Sequence, residues 1–205
     1  MIPDFNKILK SVAETQSTWF SLGHLNITSE KIVVCDPLTG FRGADTLIEN
    51  IENGSYPIAV LKTASSFGVR YALSQLQISN NQPVSWQKAK GNWYDGNFMV
   101  DAGLACFMDS ETLVHYTHFI DDFYIKNPRG NVYDDLLAAL FKKNAEDKKN
   151  KKDIGNWLNF QLPNHKKANI CMFQSGLGDG MYQSYWGYDN ENKPCQLLID
   201  FNILS

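Results

Sequence analysis

The sequence has no apolar run approaching the roughly 18 residues that a membrane-spanning helix needs. Its longest helix-like apolar run is Leu136 to Phe141, which sets aside a chain that crosses a bilayer by helices. An excess of one charge is also missing. With 22 Asp+Glu against 19 Lys+Arg the net charge is −3, which disfavours a generally basic nucleic-acid binder and a polyacidic solvating tail. Cysteine is scarce and scattered: Cys35, Cys106, Cys171 and Cys195 include no pair at the spacing of a zinc knuckle or a redox dithiol. They read as free buried thiols acting as small core residues. A Gly-x-Ser-x-Gly elbow, a His-Glu-x-x-His helix and any internal repeat are absent as well. The amino terminus, from Met1 to Lys7, lacks the apolar stretch and small-residue cleavage site of a secretory signal, so a cytoplasmic location is expected.

The 205 residues are 43% hydrophobic, 13% aromatic and 20% charged, enough for one ordinary globular domain with a sizeable core. Phe5, Ile8, Leu9 and Val12 recur at helical spacing after Pro3 and Asp4, which suit a first turn. Lys31 to Cys35 is a β-branched run ended by Asp36-Pro37, and Asp45 to Ile51 reads as a brief helix closed by Gly54. Strand patterns follow over Tyr56 to Thr63 and at Val69, Tyr71 and Leu73, with a change of apolar parity at Leu76 and Ile78 that predicts a bulge. Val84 to Lys88 alternates again, and Gly91 to Asn97 sets turn formers around Trp93 and Tyr94.

Asp109 or Ser110 is placed to cap a helix with Leu113, Tyr116, Ile120, Phe123 and Tyr124 on its apolar side, ended by Asn127-Pro128. A second helix puts Tyr133, Leu136, Leu137, Leu140 and Phe141 on one face, with Asp134 and Asp135 early and Lys142 and Lys143 late, as the helix dipole favours. A lysine-rich loop is expected near residues 144–156, running on as loop or frayed helix through Trp157 to Phe160. Ala168 to Gln174, Met181 to Tyr188 and Cys195 to Leu204 read as a three-stranded meander whose last strand anchors the core. Strands on both sides of a helical block predict a single α+β domain over residues 1–205. Its expected core is a mainly antiparallel sheet, or a β-sandwich-like pair, with three to four helices packed on it.

Four features carry candidate chemistry. Ser175 to Gly180 is glycine-rich and follows a strand, but a phosphate loop opens a helix and a Walker loop continues with Lys-Ser/Thr. Here the aromatic Met181 to Trp186 follows, so a tight glycine hairpin is expected, with Asp179 a cap or a single hard-cation ligand. Asp101 and Asp109 flank a small-residue segment. Eight extended residues would hold them roughly 26 Å apart, so Asp109 reads as a helix cap and Asp101 as a turn acceptor. Cys106 is the best nucleophile candidate, because His115 and His118 follow it closely. Those two histidines, with His24 and His165 remote in sequence, make a weak metal signal and read as surface residues. Finally, Lys142 to Lys167 holds eight lysines against Glu146, Asp147 and Asp153, a local +5 that leaves −8 on the rest of a chain of net −3.

Several segments in order resemble the bacterial domain-of-unknown-function 4241 family. They are Val34-Cys35-Asp36-Pro37, Tyr56-Pro57, Val100-Asp101-Ala102-Gly103, Cys106-Phe107-Met108-Asp109, Ser175 to Gly180, Tyr185-Trp186-Gly187 and Asp200-Phe201. Leu177 stands where that pattern carries a tryptophan. The resemblance implies a shared fold and a cytoplasmic bacterial setting, and it implies no reaction.

These observations point first to a non-enzymatic binding protein, such as an immunity protein that neutralises a cognate toxin by protein–protein contact. The residues expected at its binding surface are Trp93, Tyr94, Asp101, Asp109, Ser175, Asp179, Tyr185 and Trp186, since Trp and Tyr are favoured interface anchors. No catalytic residue, metal or cofactor is assigned, and nucleic acid and membrane are not expected as partners. The alternative is a hydrolase using Asp101, Asp109 and Asp179 around a metal or water, with Ser175 and Cys106 nearby. A scaffold or homo-oligomer built on the edge of the final strand is the third reading.

Overall fold

The computed structural model describes residues 2–12 and 17–204. The opening apolar repeat winds into α1 (Phe5–Val12), whose first turn is closed by Asp4 accepting a hydrogen bond from the Lys7 N–H at 3.0 Å. Strands β1 (Thr18–Ile27), β2 (Ile32–Cys35), β3 (Gly54–Ser65), β4 (Gly68–Gln77), β5 (Ser85–Lys88), β6 (Asn97–Val100) and β7 (Leu104–Asp109) follow. Then come α2 (Ser110–Lys126), a π-helical turn (Tyr133–Leu137) leading into α3 (Ala138–Lys143), and strands β8 (Trp157–Gln161), β9 (Asn169–Gln174), β10 (Gly180–Tyr188) and β11 (Pro194–Asp200).

The strands form two antiparallel sheets. The first runs β1-β3-β4-β11-β10, with β5 and β6 paired in succession along the far side of β10. The second runs β2-β7-β9-β8. Leu25, Val60, Leu197 and Ile199 of the first sheet share one buried cluster with Ile32, Phe107 and Phe173 of the second, so the main core lies between the sheets. Val33, Met108 and Met172 point the other way, onto Tyr116 and Ile120 of α2 and Phe141 of α3. On the opposite side α1 lays Phe5 and Val12 against Leu61, Leu73 and Leu198. Where a sheet is covered on both faces, as at β7, β9 and β11, nearly every strand residue is buried. No helix among the described residues is long and apolar enough to cross a membrane.

The antiparallel sheet core and the capped α2 match the sequence pattern. Asp109 caps α2 through the N–H groups of Glu111 and Thr112, although Tyr124, assigned to its apolar side, is exposed. Five expectations are corrected. Asp45 to Ile51 is not helical: Thr46 bridges Val33 and Leu47 bridges Gly91, so the segment runs between β2 and the β5–β6 connection, which supply its backbone partners. Trp157 to Phe160 is strand rather than loop, because it completes the edge of the second sheet beside β9. The closing meander does not form, since β9 belongs to the second sheet while β10 and β11 belong to the first. β11 is also not an edge, being paired on one side with β4 and on the other with β10, which removes the basis of the edge-built oligomer. The bulge lies earlier than Leu76: Leu61 faces Leu73 and Lys62 faces Tyr71, leaving Ala72 as the extra residue. It turns Tyr71 toward the inter-sheet core and Leu73 toward α1.

Candidate functional site

The connection from β5 to β6 is short and rich in turn formers, and two glycines let it fold tightly. A Cβ on Gly96, whose φ is +69°, would lie 1.8 Å from the Ala89 carbonyl oxygen. A Cβ on Gly91 would lie 2.1 Å from Asp45 Oδ2. That close approach lets the Asp45 carboxylate hold the loop from below. Its Oδ2 accepts the N–H groups of Trp93 (2.6 Å) and Tyr94 (3.2 Å), and its Oδ1 accepts Asn92 Nδ2 (3.3 Å). Burial raises the Asp45 pKa, but hydrogen bonds from Trp93, Asn92 and Tyr94 outweigh it and hold the group below its ordinary value.

The pinned loop holds its two aromatic side chains in water: Trp93 is 85% exposed and Tyr94 61%. Next to them, β6 and β10 pair Met99 with Met181, 64% and 55% exposed. Tyr94, Met99 and Met181 rim a cavity of about 500 Å³ that reaches down to Val34 and Cys35 of β2 and Phe98 of β6. Among the described residues Asp45 is the one charged residue in its lining. This solvent-facing arrangement of Trp, Tyr and Met is the candidate site.

The carboxylates of the motif segments are engaged differently. Asp36, which sequence reasoning did not single out, is buried at the end of β2. Its Oδ1 accepts the N–H groups of Leu38 (2.8 Å) and Thr39 (3.1 Å), and its Oδ2 those of Asp101 (3.0 Å) and Ala102 (2.8 Å). The available signal was Asp-Pro directly after a strand, an Asx-turn sequence. Asp109 is buried too. Besides capping α2, its Oδ2 accepts the N–H groups of Thr28 (3.0 Å) and Ser29 (2.9 Å) and the Ser29 hydroxyl (2.7 Å). Asp101 and Asp179 are exposed, and Asp179 Oδ1 accepts the Gly103 N–H at 2.9 Å. Asp101 precedes β7 and Asp109 ends it, so the three carboxylates of the hydrolase reading do not meet in one cleft. Ser175 is buried, with its Oγ donating to the Gly178 carbonyl at 2.8 Å. The Ser175–Gly180 turn is not a hairpin within one sheet; it carries the chain from β9 in one sheet to β10 in the other.

Three further candidates are corrected by burial. Tyr185 and Trp186 lie within β10 and are buried, Tyr185 against Phe5 with ring centroids 4.8 Å apart, so they are core residues and not surface anchors. Cys106 is buried in β7, its Sγ 3.3 Å from the Cys35 carbonyl oxygen. Burial, reinforced by the adjacent Cys35 thiol, pushes its pKa well above the ordinary thiol value, and His115 stacks instead on His165, ring centroids 3.9 Å apart. All four cysteines are free and buried. The His115–His165 stack was illegible in the sequence, since the two residues come from α2 and from the turn between β8 and β9. His118 joins them around a cavity of about 490 Å³. No group of three or more His, Cys, Asp or Glu among the described residues is placed to hold a metal ion.

The model of the family described as "Protein of unknown function (DUF4241)" matches residues 25–199, and the chain belongs to that family. No curated protein and no solved structure matches it.

Proposed function

We propose that this member of the DUF4241 family is a non-enzymatic binding protein of the bacterial cytoplasm, acting as an immunity protein that neutralises a cognate toxin by direct contact. The observation that carries the reading is the display of Trp93, 85% exposed on a loop whose backbone Asp45 holds in place. A large aromatic side chain loses 25 cal/mol or so per Å² of apolar surface left in water. A rigid loop that nonetheless presents one has met part of the ordering cost of an interface in advance. Tyr94, Met99 and Met181 extend that surface around a cavity able to take an anchoring side chain.

The engagement of the carboxylates supports the same reading. Asp36 and Asp109 direct both oxygens at backbone N–H groups, as loop-stapling residues do, and neither faces water. The uneven charge of the chain, +5 between Lys142 and Lys167 and −8 elsewhere, suits an encounter steered by complementary fields. Co-expression with the product of the adjacent gene tests the proposal. A stoichiometric complex, together with protection of cells poisoned by that product, is the expected result. Absence of both contradicts it.

A further inference from the structure

We infer that the face formed by Trp93, Tyr94, Met99 and Met181 receives a cationic segment of a protein partner, with an apolar side chain of that segment entering the cavity beneath Tyr94. The inference rests on the binding reading above and adds the chemistry of the partner.

Three of the four side chains of the face line one cavity. Met99 and Met181 are register partners across β6 and β10, and both line the cavity with Tyr94. Leu177, 56% exposed, stands in the turn that leads into β10. Unbranched thioether side chains re-pack around differently shaped guests, which suits a surface that must accept an inserted side chain. A cavity of about 500 Å³ with one charged residue in its lining has room for such a group.

The rim is acidic. The β6–β10 ladder ends at Val100 paired with Gly180, so the next residues on the two strands, Asp101 and Asp179, flank its end, and both are exposed. Asp95, also exposed, directly follows Tyr94. No lysine or arginine lines the cavity. Of the cations nearest along the chain, Arg42 is paired with Asp121 at 2.5 Å, Lys88 ends β5, and Lys90 is exposed in the loop beside Gly91, leaving three rim carboxylates against two lysines. The lysine-rich stretch is segregated from this face. It leads into β8 and fills the β8–β9 turn, at one edge of the second sheet, while the cavity opens beside β2 at the other. An apolar centre with an acidic border is complementary to a guest carrying Lys or Arg around an aliphatic or aromatic residue.

Two synthetic peptides of equal length test this, one alternating Lys and Leu, the other with Glu in place of every Lys. The readouts are the Trp93 indole resonance, identified with Trp93→Phe, and the methyl resonances of Met99 and Met181. The Lys-Leu peptide is expected to shift all three in a saturable way, and the Glu-Leu peptide to leave them unmoved. Combining Asp101→Asn with Asp179→Asn should weaken the Lys-Leu peptide about fivefold and flatten its salt dependence. Asn at position 179 retains a carbonyl oxygen for the Gly103 N–H, so the loop keeps its staple. Equal response to both peptides, shifts that avoid these three residues, or an affinity indifferent to the Asp variants would overturn the inference. The product of the adjacent gene separates the two levels. If it binds while the Trp93, Met99 and Met181 signals stay still, the binding reading stands and this face is discarded. If the Lys-Leu peptide binds here and that product does not, the face stands and the immunity reading falls.

Discussion

The buried carboxylate of Asp36 accepts the main-chain N–H of Asp101 at 3.0 Å, joining the end of β2 to the turn between β6 and β7. The same carboxylate takes the N–H groups of Ala102, Leu38 and Thr39, and Tyr116 of α2 donates its hydroxyl to the neighbouring Pro37 carbonyl at 2.9 Å. One side chain therefore fixes both turns beside the candidate site, and α2 braces one of them.

Asp36→Ala should strand four N–H donors in a largely dry environment. A buried donor left unpaired costs about 1–3 kcal/mol, and some of these will reach water, so a loss of about 3 kcal/mol is expected in urea denaturation. Asp109→Ala, which removes the α2 cap and the contacts to Thr28 and Ser29, should cost about 2 kcal/mol. Asp101→Asn should leave stability within about 0.5 kcal/mol, because its side chain is exposed. A large loss at position 101 with none at 36 would reverse these roles.

Three of the four cysteines should be inert in the folded protein. Burial raises the thiol pKa at Cys106 and Cys171, and at Cys195 to about 11, so little thiolate exists at neutral pH. A chromogenic disulfide reagent should label none of these three under native conditions and all four cysteines in denaturant. Rapid native labelling of Cys106 would restore it as a nucleophile.

Acid should loosen the Trp93 loop before it unfolds the sheets. The folded pKa of Asp45 lies below its ordinary value of 3.8, so its stabilising effect is present above that value and is lost as the pH falls through the lower, folded one. Amide exchange at Trp93 and Tyr94, corrected for the intrinsic pH dependence of exchange, should lose protection over that interval. Asp45→Ala should produce the same loss at neutral pH. Protection that persists in the variant would mean that Gly91 and Gly96 alone shape the loop.

What the sequence revealed follows from which interactions are local. The α2 cap was legible because Asp109 bonds residues two and three places on, and the α1 repeat because its spacing is local. β1 escaped notice because its register shifts between Ser21 and Gly23, so that Leu22 and Leu25, three residues apart, both face the inter-sheet core and break the alternation. Asp45 to Ile51 has helix-like apolar spacing, but backbone partners at Val33 and Gly91 override it. The sheet membership of β9 and β10 leaves no local trace, because either sheet buries the same apolar strands. At the site, Trp93 and Tyr94 were visible as aromatics among turn formers. Met99 and Met181 join them only through pairing across β6 and β10, and Asp45 only through a contact spanning 48 residues.

The most direct test of the binding reading is the calorimetric affinity for the protein encoded alongside, measured with the unaltered chain and with Trp93→Ala. The variant should bind at least tenfold more weakly, a loss of about 1.4 kcal/mol or more. Its denaturation midpoint should stay unchanged, because the indole is 85% exposed. An equally tight complex with Trp93→Ala would contradict the claim that this loop is the contact surface.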